Sequence, residues 1–209
     1  MKLRLHFAFI AFLIGNIGFS QVDANAKKIL DNVSSKVKSY SGIVGNFSIK
    51  SFTSKGKNNG SKTGSITLKG QKYILKQGKT EIVCDAKNIY NYDGYKTVTV
   101  TSVEESSSTL SPQNLLSNFY DKDFSYKLVN SKGTFYQIDL YPNDKRKNYS
   151  KVTVFVDKKK DMITKAKILD KTNNSIEFSL NNINTSAIIK DNSFVFNKAH
   201  YPSNVEILD

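Results

Sequence analysis

The sequence has 209 residues, with 31 Lys and Arg against 18 Asp and Glu, and a formal net charge of +13. This length fits one domain with a sizeable core, and the single cysteine, Cys84, excludes an intramolecular disulfide. The basic charge indicates nucleic acid, an anionic membrane surface or an acidic protein as a partner, or only a lysine-rich solvated surface.

The first 20 residues have the pattern of a secretory signal peptide. Lys2 and Arg4 precede the apolar run 7–14, and small residues at positions 18 and 20 fit cleavage before Gln21. The apolar run is too short for a transmembrane helix, which needs about 20 apolar residues. We therefore expect a signal peptide over 1–20 and an exported protein over 21–209, which argues against nucleic acid as a partner.

The mature chain begins with a predicted amphipathic helix from Val22 to Tyr40. Apolar residues recur at spacings of three and four, which is the period of one helix face. The members of that face are Ala26, Ile29, Leu30, Val33, Val37 and Tyr40.

Most of the remaining chain alternates apolar and polar residues between short polar turns. In the stretch from Thr63 to Asp93, four such runs follow one another with connections too short for a crossover helix. This pattern predicts an antiparallel meander. A short inserted helix is expected after Ser111-Pro112, with Leu115, Leu116 and Phe119 as its apolar edge.

The fold class is therefore mainly β, within α+β. We expect about ten strands in one strongly curved sheet or incomplete antiparallel β-barrel, with the N-terminal helix and the inserted helix covering its apolar face. Neither an internal repeat nor a linker is found, so 21–209 is expected to be a single domain.

The sequence offers little catalytic chemistry. Histidine-dependent nucleophilic sites need a histidine near a nucleophile, and the mature chain has only His200. Glu104 and Glu105 are adjacent in a serine-rich stretch, which is not the arrangement of a glycosidase pair. Clustered metal ligands and phosphate-binding glycine motifs are lacking in the sequence, so we expect no enzyme, no metal and no cofactor. Cys84 is expected to be a buried, inert thiol.

The order of these segments resembles the outer-membrane lipoprotein carrier family, the LolA-like periplasmic chaperones. The resemblance depends on the segments 37–40 with 45–48, 64–69, 81–92 and Ser111-Pro112, in that order along the mature chain. It implies an incomplete barrel around lid helices. The implied function is to carry the acyl chains of lipoproteins from an inner-membrane releasing transporter to an outer-membrane acceptor, as a monomer. Well-studied members have an arginine and then a proline where this chain has Gly70-Gln71, so the lid-fastening arginine is not found at that position.

Alternation predicts which side chains share the buried face, and the resemblance implies that these side chains contact acyl chains, although an ordinary packed core is the alternative for each of them. The predicted acyl-chain-binding residues are Phe47, Ile49, Ile66, Leu68, Tyr73, Leu75, Ile82, Cys84, Ile89, Val98 and Val100. The predicted lid residues are Ile29, Leu30, Val33, Leu115, Leu116 and Phe119. Two other functions remain open: a lipid- or lipoprotein-binding sensor of the same fold, and a secreted enzyme acting on the cell envelope.

Overall fold

The computed structural model describes residues 23–105 and 120–209, without the side chain of Asp121. The predicted signal peptide and the predicted lid residues Leu115, Leu116 and Phe119 lie outside the described residues. The helices are α1 (Ala24–Ser39) and the short α2 (Tyr120–Asp123), with 3-10 turns at Asp191–Phe194 and Lys198–His200. The strands are β1 (Ile43–Phe52), β2 (Asn58–Lys69), β3 (Lys72–Gln77), β4 (Thr80–Cys84), β5 (Asn88–Tyr92), β6 (Thr97–Ser102), β7 (Phe124–Asn130), β8 (Phe135–Pro142), β9 (Tyr149–Asp157), β10 (Met162–Asp170), β11 (Ser175–Asn184) and β12 (Glu206–Leu208).

All twelve strands form one sheet in the order β12-β6-β5-β4-β3-β2-β1-β11-β10-β9-β8-β7. Strands β1 to β6 and β7 to β11 are two antiparallel meanders, and the pairing of β11 with β1 joins them. This confirms the predicted meander. Only β12 is parallel to its neighbour, β6. In the described residues β12 and β7 are the two edges, so the sheet is open.

The mainly β fold class is confirmed, because a single core cluster joins α1 to side chains from β1 to β4 and from β7 to β11. A sheet that brings these strands to one helix must curve around it. Two details differ from the sequence prediction. Strand β2 begins at Asn58, five residues before the predicted meander starts at Thr63, and β12 was not predicted.

Helix α1 lies on one face of this sheet, which we call the inner face. Asp23 caps its first turn by accepting hydrogen bonds from the N–H groups of Asn25 and Ala26. The helix buries Ala26, Leu30, Val33 and Val37, as its apolar spacing predicts. No helix in 23–105 or 120–209 has the length and hydropathy to span a membrane.

The other face, the outer face, is covered over part of its area by the C-terminal segment, residues 185–208. Phe194, which is 1% exposed, and Val205 lie outside the main core cluster and are buried. Rings also stack between the segment and the sheet, with 4.6 Å between the centroids of Phe196 and Tyr90. The segment then ends as β12 beside β6.

Lys69 and Lys72 also fasten this segment. The Lys69 Nζ donates to the carbonyl oxygen of Ile189 at 2.9 Å, and both ammonium groups lie within 3.4 Å of Asp191 Oδ1. The sheet therefore has a hydrophobic contact on each face, one with α1 and one with its own C-terminal segment.

Candidate functional site

Nine of the eleven predicted acyl-chain-binding residues share the inner face of β1 to β5. Side chains directly opposite one another in an antiparallel pair point to the same face, and the strand register aligns them in rows. One row contains Ile66, Leu75 and Ile82, and the next contains Leu68, Tyr73, Cys84 and Ile89. Phe47 and Ile49 continue this face on β1.

Gly64 lets the Phe47 ring lie across β2. It is directly opposite Phe47, and a Cβ at this position would be 2.5 Å from Phe47 Cζ. The ring also stacks on Phe178 of β11, with 6.3 Å between centroids. Phe47 therefore connects the inner faces of the two meanders.

Val98 and Val100 do not join this face, which corrects the prediction that their side chains lie on it with the other nine. They are directly opposite Tyr92 and Tyr90, whose rings contact Tyr201 and Phe196 on the outer face. Strand β5 carries apolar side chains on both faces, so alternation along β6 does not tell which face is the inner one. Val98 is fully buried, but under the C-terminal segment.

Burial of the inner face decreases along the strands. The strand ends can be named by their loops. The Gly56 end has the β1–β2, β3–β4, β5–β6, β8–β9 and β10–β11 connections, and the Gly70 end has the β2–β3, β4–β5, β7–β8 and β9–β10 connections. Leu68 and Cys84, towards the Gly70 end, are 3% and 2% exposed. Leu75 and Ile82, towards the Gly56 end, are only half-buried.

The neighbouring strands follow the same trend. On β1, Phe47 is buried but Ile49 is half-buried. On β11, Leu180 is 5% exposed and Ile176 is 44% exposed. The inner face therefore presents a continuous apolar surface that is closed towards the Gly70 end and open towards the Gly56 end of β1 to β4, β10 and β11.

Three predicted lid residues lie on α1. Leu30 and Val33 are buried in the core cluster, and Ile29 is half-buried against it. In the described part of the chain, the helix thus covers the inner face as expected for a lid, but its apolar side chains are part of the packed core.

Two carboxylates fasten α1 to the β7 side of the sheet. Asp23 Oδ2 accepts a hydrogen bond from the backbone N–H of Leu128 on edge strand β7 at 2.9 Å. Asp31 Oδ1 accepts one from the Tyr120 hydroxyl at 3.0 Å, and Asp31 also pairs with Lys27. The Leu128 N–H bond is the main cause of the lowered pKa of Asp23, and the Lys27 bond is the main cause of the lowered pKa of Asp31.

A groove of about 340 Å³ lies between α1 and the β7–β9 part of the inner face. Its apolar lining includes Ile29, Val33, Leu128 and Val156, and α1 adds Lys28 at the rim. Volumes of this size are in the range of small-molecule sites, roughly 300 to 1,000 Å³. The sequence did not indicate this groove, because its two walls are distant in the chain.

Two buried ionisable side chains of the inner face, Tyr73 and Cys84, are held in their neutral forms. Burial raises the pKa of Tyr73 to about 12 and raises the pKa of the Cys84 thiol. Cys84 Sγ donates a weak hydrogen bond to the carbonyl oxygen of Gln71 at 3.8 Å. A neutral thiol is a poor nucleophile, so these two side chains add to an apolar surface.

The possible catalytic residues lie apart from this surface. His200 is exposed, and its ring contacts the side chain of Asn197 in a 3-10 turn. Glu105 accepts a hydrogen bond from the N–H of Ser102 at the end of β6. In 23–105 and 120–209, no three metal-ligating side chains come together.

A family comparison identifies the architecture. Residues 38–197 match the model of the family described as "Outer membrane lipoprotein carrier protein LolA". The chain belongs to the LolA family. This confirms the resemblance that the sequence motifs carry. A comparison with curated protein sequences finds no match.

Several solved structures are similar to this chain at low sequence identity. An uncharacterized conserved protein from Thermus thermophilus aligns with a TM-score of 0.59 at 8% identity, over 88% of this chain and 98% of that one. MucB aligns at 0.50 and 13% identity, over 84% of this chain and 64% of MucB. A LolA superfamily protein from Nitrosomonas europaea has 12% identity and a TM-score of 0.46, over 82% and 97% of the two chains. Identities this low show the fold alone.

Proposed function

We propose that this LolA-family protein is a periplasmic carrier that binds the acyl chains of lipoproteins on its inner face. It would receive them from an inner-membrane releasing transporter and deliver them to an outer-membrane acceptor. The proposal includes no cofactor and no catalytic step. One observation carries it: the inner face is a continuous apolar surface that its own side chains close towards the Gly70 end and leave half-exposed towards the Gly56 end.

The energetics support reversible binding. Burying the methylenes of a 16-carbon chain contributes on the order of 10 kcal/mol, from about 0.8 kcal/mol per methylene. Part of this gain offsets any displacement of α1 from its packing with Leu30 and Val33. A carrier needs this partial cancellation, because it must release its guest.

The polar contacts of α1 would hold this helix in place, as the lid-fastening arginine does in other family members. Gly70-Gln71 occupies the corresponding turn, whereas Asp23 and Asp31 connect α1 to Leu128 and Tyr120. These few polar contacts lie along one side of the helix. In this proposal they are the contacts that break when the inner face opens further.

The test begins with mass spectrometry of apolar molecules bound to the mature protein purified from the periplasm. We expect acylated lipoprotein. Mixing that complex with outer-membrane vesicles should transfer the lipoprotein to the vesicles. Retention of lipoprotein together with capture of a membrane signalling protein would instead support the sensor, and recovery of no acylated molecule would contradict both.

Two isoleucines on facing strands provide matched variants. Ile82 of β4 is half-buried on the inner face, and Ile74 of β3 is half-buried on the outer face. Ile82→Asp should lower the affinity for a fluorescent fatty acid at least about tenfold, since a charge would be desolvated by the guest. Ile74→Asp should leave that affinity unchanged. Equal affinities in both folded variants would show that the inner face is not the site.

The enzyme alternative has a separate test. Replacing His200, Glu104 and Glu105 together should leave lipoprotein transfer unchanged, because none of these residues lies on the inner face. Loss of transfer by a folded triple variant would contradict the proposal of a non-enzymatic carrier.

A further inference from the structure

Three loops at the Gly56 end of the sheet form one joined surface. The β1–β2 loop (53–57) meets the β10–β11 turn (171–174), where the Ser54 N–H donates to Asn174 Oδ1 at 3.0 Å. That turn meets the β8–β9 loop (143–148), where the Lys171 N–H donates to the carbonyl oxygen of Asn148 at 3.3 Å and its Nζ donates to that of Lys145 at 2.6 Å. Although distant in sequence, the loops therefore hold one another in place.

The joined loops are strongly basic. They carry six cationic residues and one acidic residue, Asp144. Asp144 pairs with Arg146 at 3.0 Å, and the three loops together carry a formal net charge of +5 (six cations and one acid). The six cations are Lys55, Lys57, Lys145, Arg146, Lys147 and Lys171. We call these three loops, with the neighbouring Lys62, the basic end.

Lys62 connects the basic end to the inner face. It is exposed and directly opposite Ile49, so its side chain belongs to the same face as the apolar surface. Ile176, the second residue after the 171–174 turn, is 44% exposed on that face. Cationic and apolar side chains therefore lie side by side here, as they do in protein surfaces that bind the membrane interface.

At the Gly70 end, cationic side chains do not adjoin the open apolar surface of β1 to β4, β10 and β11. This end also carries lysines, including Lys87, Lys132, Lys159 and Lys160. Next to Lys87 the inner face is closed, because Leu68 and Cys84 are buried, whereas Lys159 and Lys160 belong to the turn whose Asp161 lines the groove beside α1. Both ends therefore carry positive charge. The open apolar surface of β1 to β4, β10 and β11 lies next to the basic end.

The segments outside the described residues add no acidic side chain to the basic end. Residues 1–22 and 106–119 contain no Asp and no Glu. Helix α2 borders the β8–β9 loop, where the Asn143 N–H donates to the carbonyl oxygen of Asp123 at 2.8 Å, so Asp121 and Asp123 add two acids beside the six cations and the net charge remains positive.

Two acids on the neighbouring strands are already engaged. Asp170 accepts from Thr172 and Asn174 of its own turn, and Asp139 pairs with Lys151 at 3.0 Å.

We propose that the basic end is a docking surface for an anionic phospholipid membrane. Its use in exchanging acyl guests rests on the carrier function proposed above, whereas the docking itself does not. Docked in this way, the lysines contact phosphate headgroups and the open part of the inner face adjoins the acyl region of the bilayer. An acyl chain could then move between bilayer and protein without crossing water.

The test measures co-sedimentation of the ligand-free mature protein with vesicles of phosphatidylglycerol and phosphatidylcholine, and with vesicles of phosphatidylcholine alone. The basic-end variant is Lys55→Gln, Lys57→Gln, Lys62→Gln and Lys145→Gln. The control variant is Lys87→Gln, Lys132→Gln, Lys159→Gln and Lys160→Gln. Both lose four charges, and none of these eight ammonium groups makes a hydrogen bond or ion pair within the described residues.

We expect the unmodified protein to bind the anionic vesicles, and to bind less as salt rises. A lysine near an anionic surface contributes about fivefold in affinity, so the basic-end variant should bind at least about tenfold more weakly. The control variant should lose less than about threefold, because its lysines remain far from the membrane.

Any one of three results would contradict the proposed docking surface. These are no binding of the unmodified protein to anionic vesicles, equal binding to both kinds of vesicle, and an equal loss of vesicle affinity in the two variants. Fatty-acid binding by the unmodified protein is measured separately, without vesicles. Its absence from the unmodified protein would remove the carrier function and leave the vesicle result standing, so the two failures are distinguishable.

Discussion

Strands β3 to β5 carry apolar side chains on both faces, and the two faces are covered in different ways. The outer face is covered by the C-terminal segment, which adds stacked rings, the ion pairs of Asp191 and a parallel strand. The inner face is covered by α1, which two carboxylates fasten along one side, and its apolar surface stays half-exposed towards the Gly56 end.

This difference separates apolar residues that stabilise the fold from those available to a guest. The outer contact includes directional bonds, such as that from the Tyr201 hydroxyl to Glu81 Oε2 at 2.8 Å. Those bonds fix one arrangement of the segment. The open part of the inner face has apolar side chains that only shape and hydrophobicity recognise, which suits acyl chains of varied length.

The largest expected effect comes from the outer face. Phe194→Ala removes a ring that is 1% exposed, in a turn that contacts β3. We expect a loss of about 3 to 4 kcal/mol in the free energy of unfolding, because the change leaves a cavity. Urea unfolding measures the loss. Fatty-acid affinity of the folded variant should stay the same, and a large decrease in it would contradict the separation of the two faces.

A smaller effect is expected where α1 is fastened. Asp23→Ala removes a helix cap and the bond to the Leu128 N–H. The free energy of unfolding should fall by about 2 kcal/mol, and fatty-acid uptake should become faster because α1 is held less firmly. Stopped-flow fluorescence measures the uptake rate, and an unchanged rate would show that α1 does not control access.

Asp23→Asn separates the charge from the cap, since Asn caps helices as well as Asp does. The pKa of Asp23 is lowered from its usual 3.8, so its ionised form stabilises the fold. This contribution is fully present above that value and is lost as pH falls through the lower pKa of the folded state. The stability difference between the unmodified protein and Asp23→Asn should therefore shrink below about pH 4. A difference independent of pH would contradict a role for the charge.

The smallest effect is expected from two tyrosines, one on each face. Tyr201→Phe on the outer face removes the bond to Glu81 and should cost about 1 kcal/mol in the free energy of unfolding. Tyr73→Phe on the inner face removes a hydroxyl that lies beside the Cys84 thiol, and should change stability by less than about 0.5 kcal/mol. Equal losses in chemical denaturation would show that both faces depend on polar contacts to the same extent.

Local pattern predicted the elements well. The apolar spacing of Ala26, Leu30, Val33 and Val37 predicted α1, and alternation predicted the strands of both meanders. The face assignment followed correctly for β1 to β4, where one set of alternate residues is clearly more apolar. It failed at β6, because β5 has Ile89 on one face and Tyr90 and Tyr92 on the other.

The sequence by itself determined the periodicities, the turns and the family, because these depend on residues close together in the chain. Tertiary structure alone decided which faces are covered, by what and how completely. It brought Asp23 to Leu128, Phe196 to Tyr90 and Ser54 to Asn174. Contacts between residues this far apart form only when the sheet curves and its two meanders join. Local periodicity in the sequence does not predict these contacts.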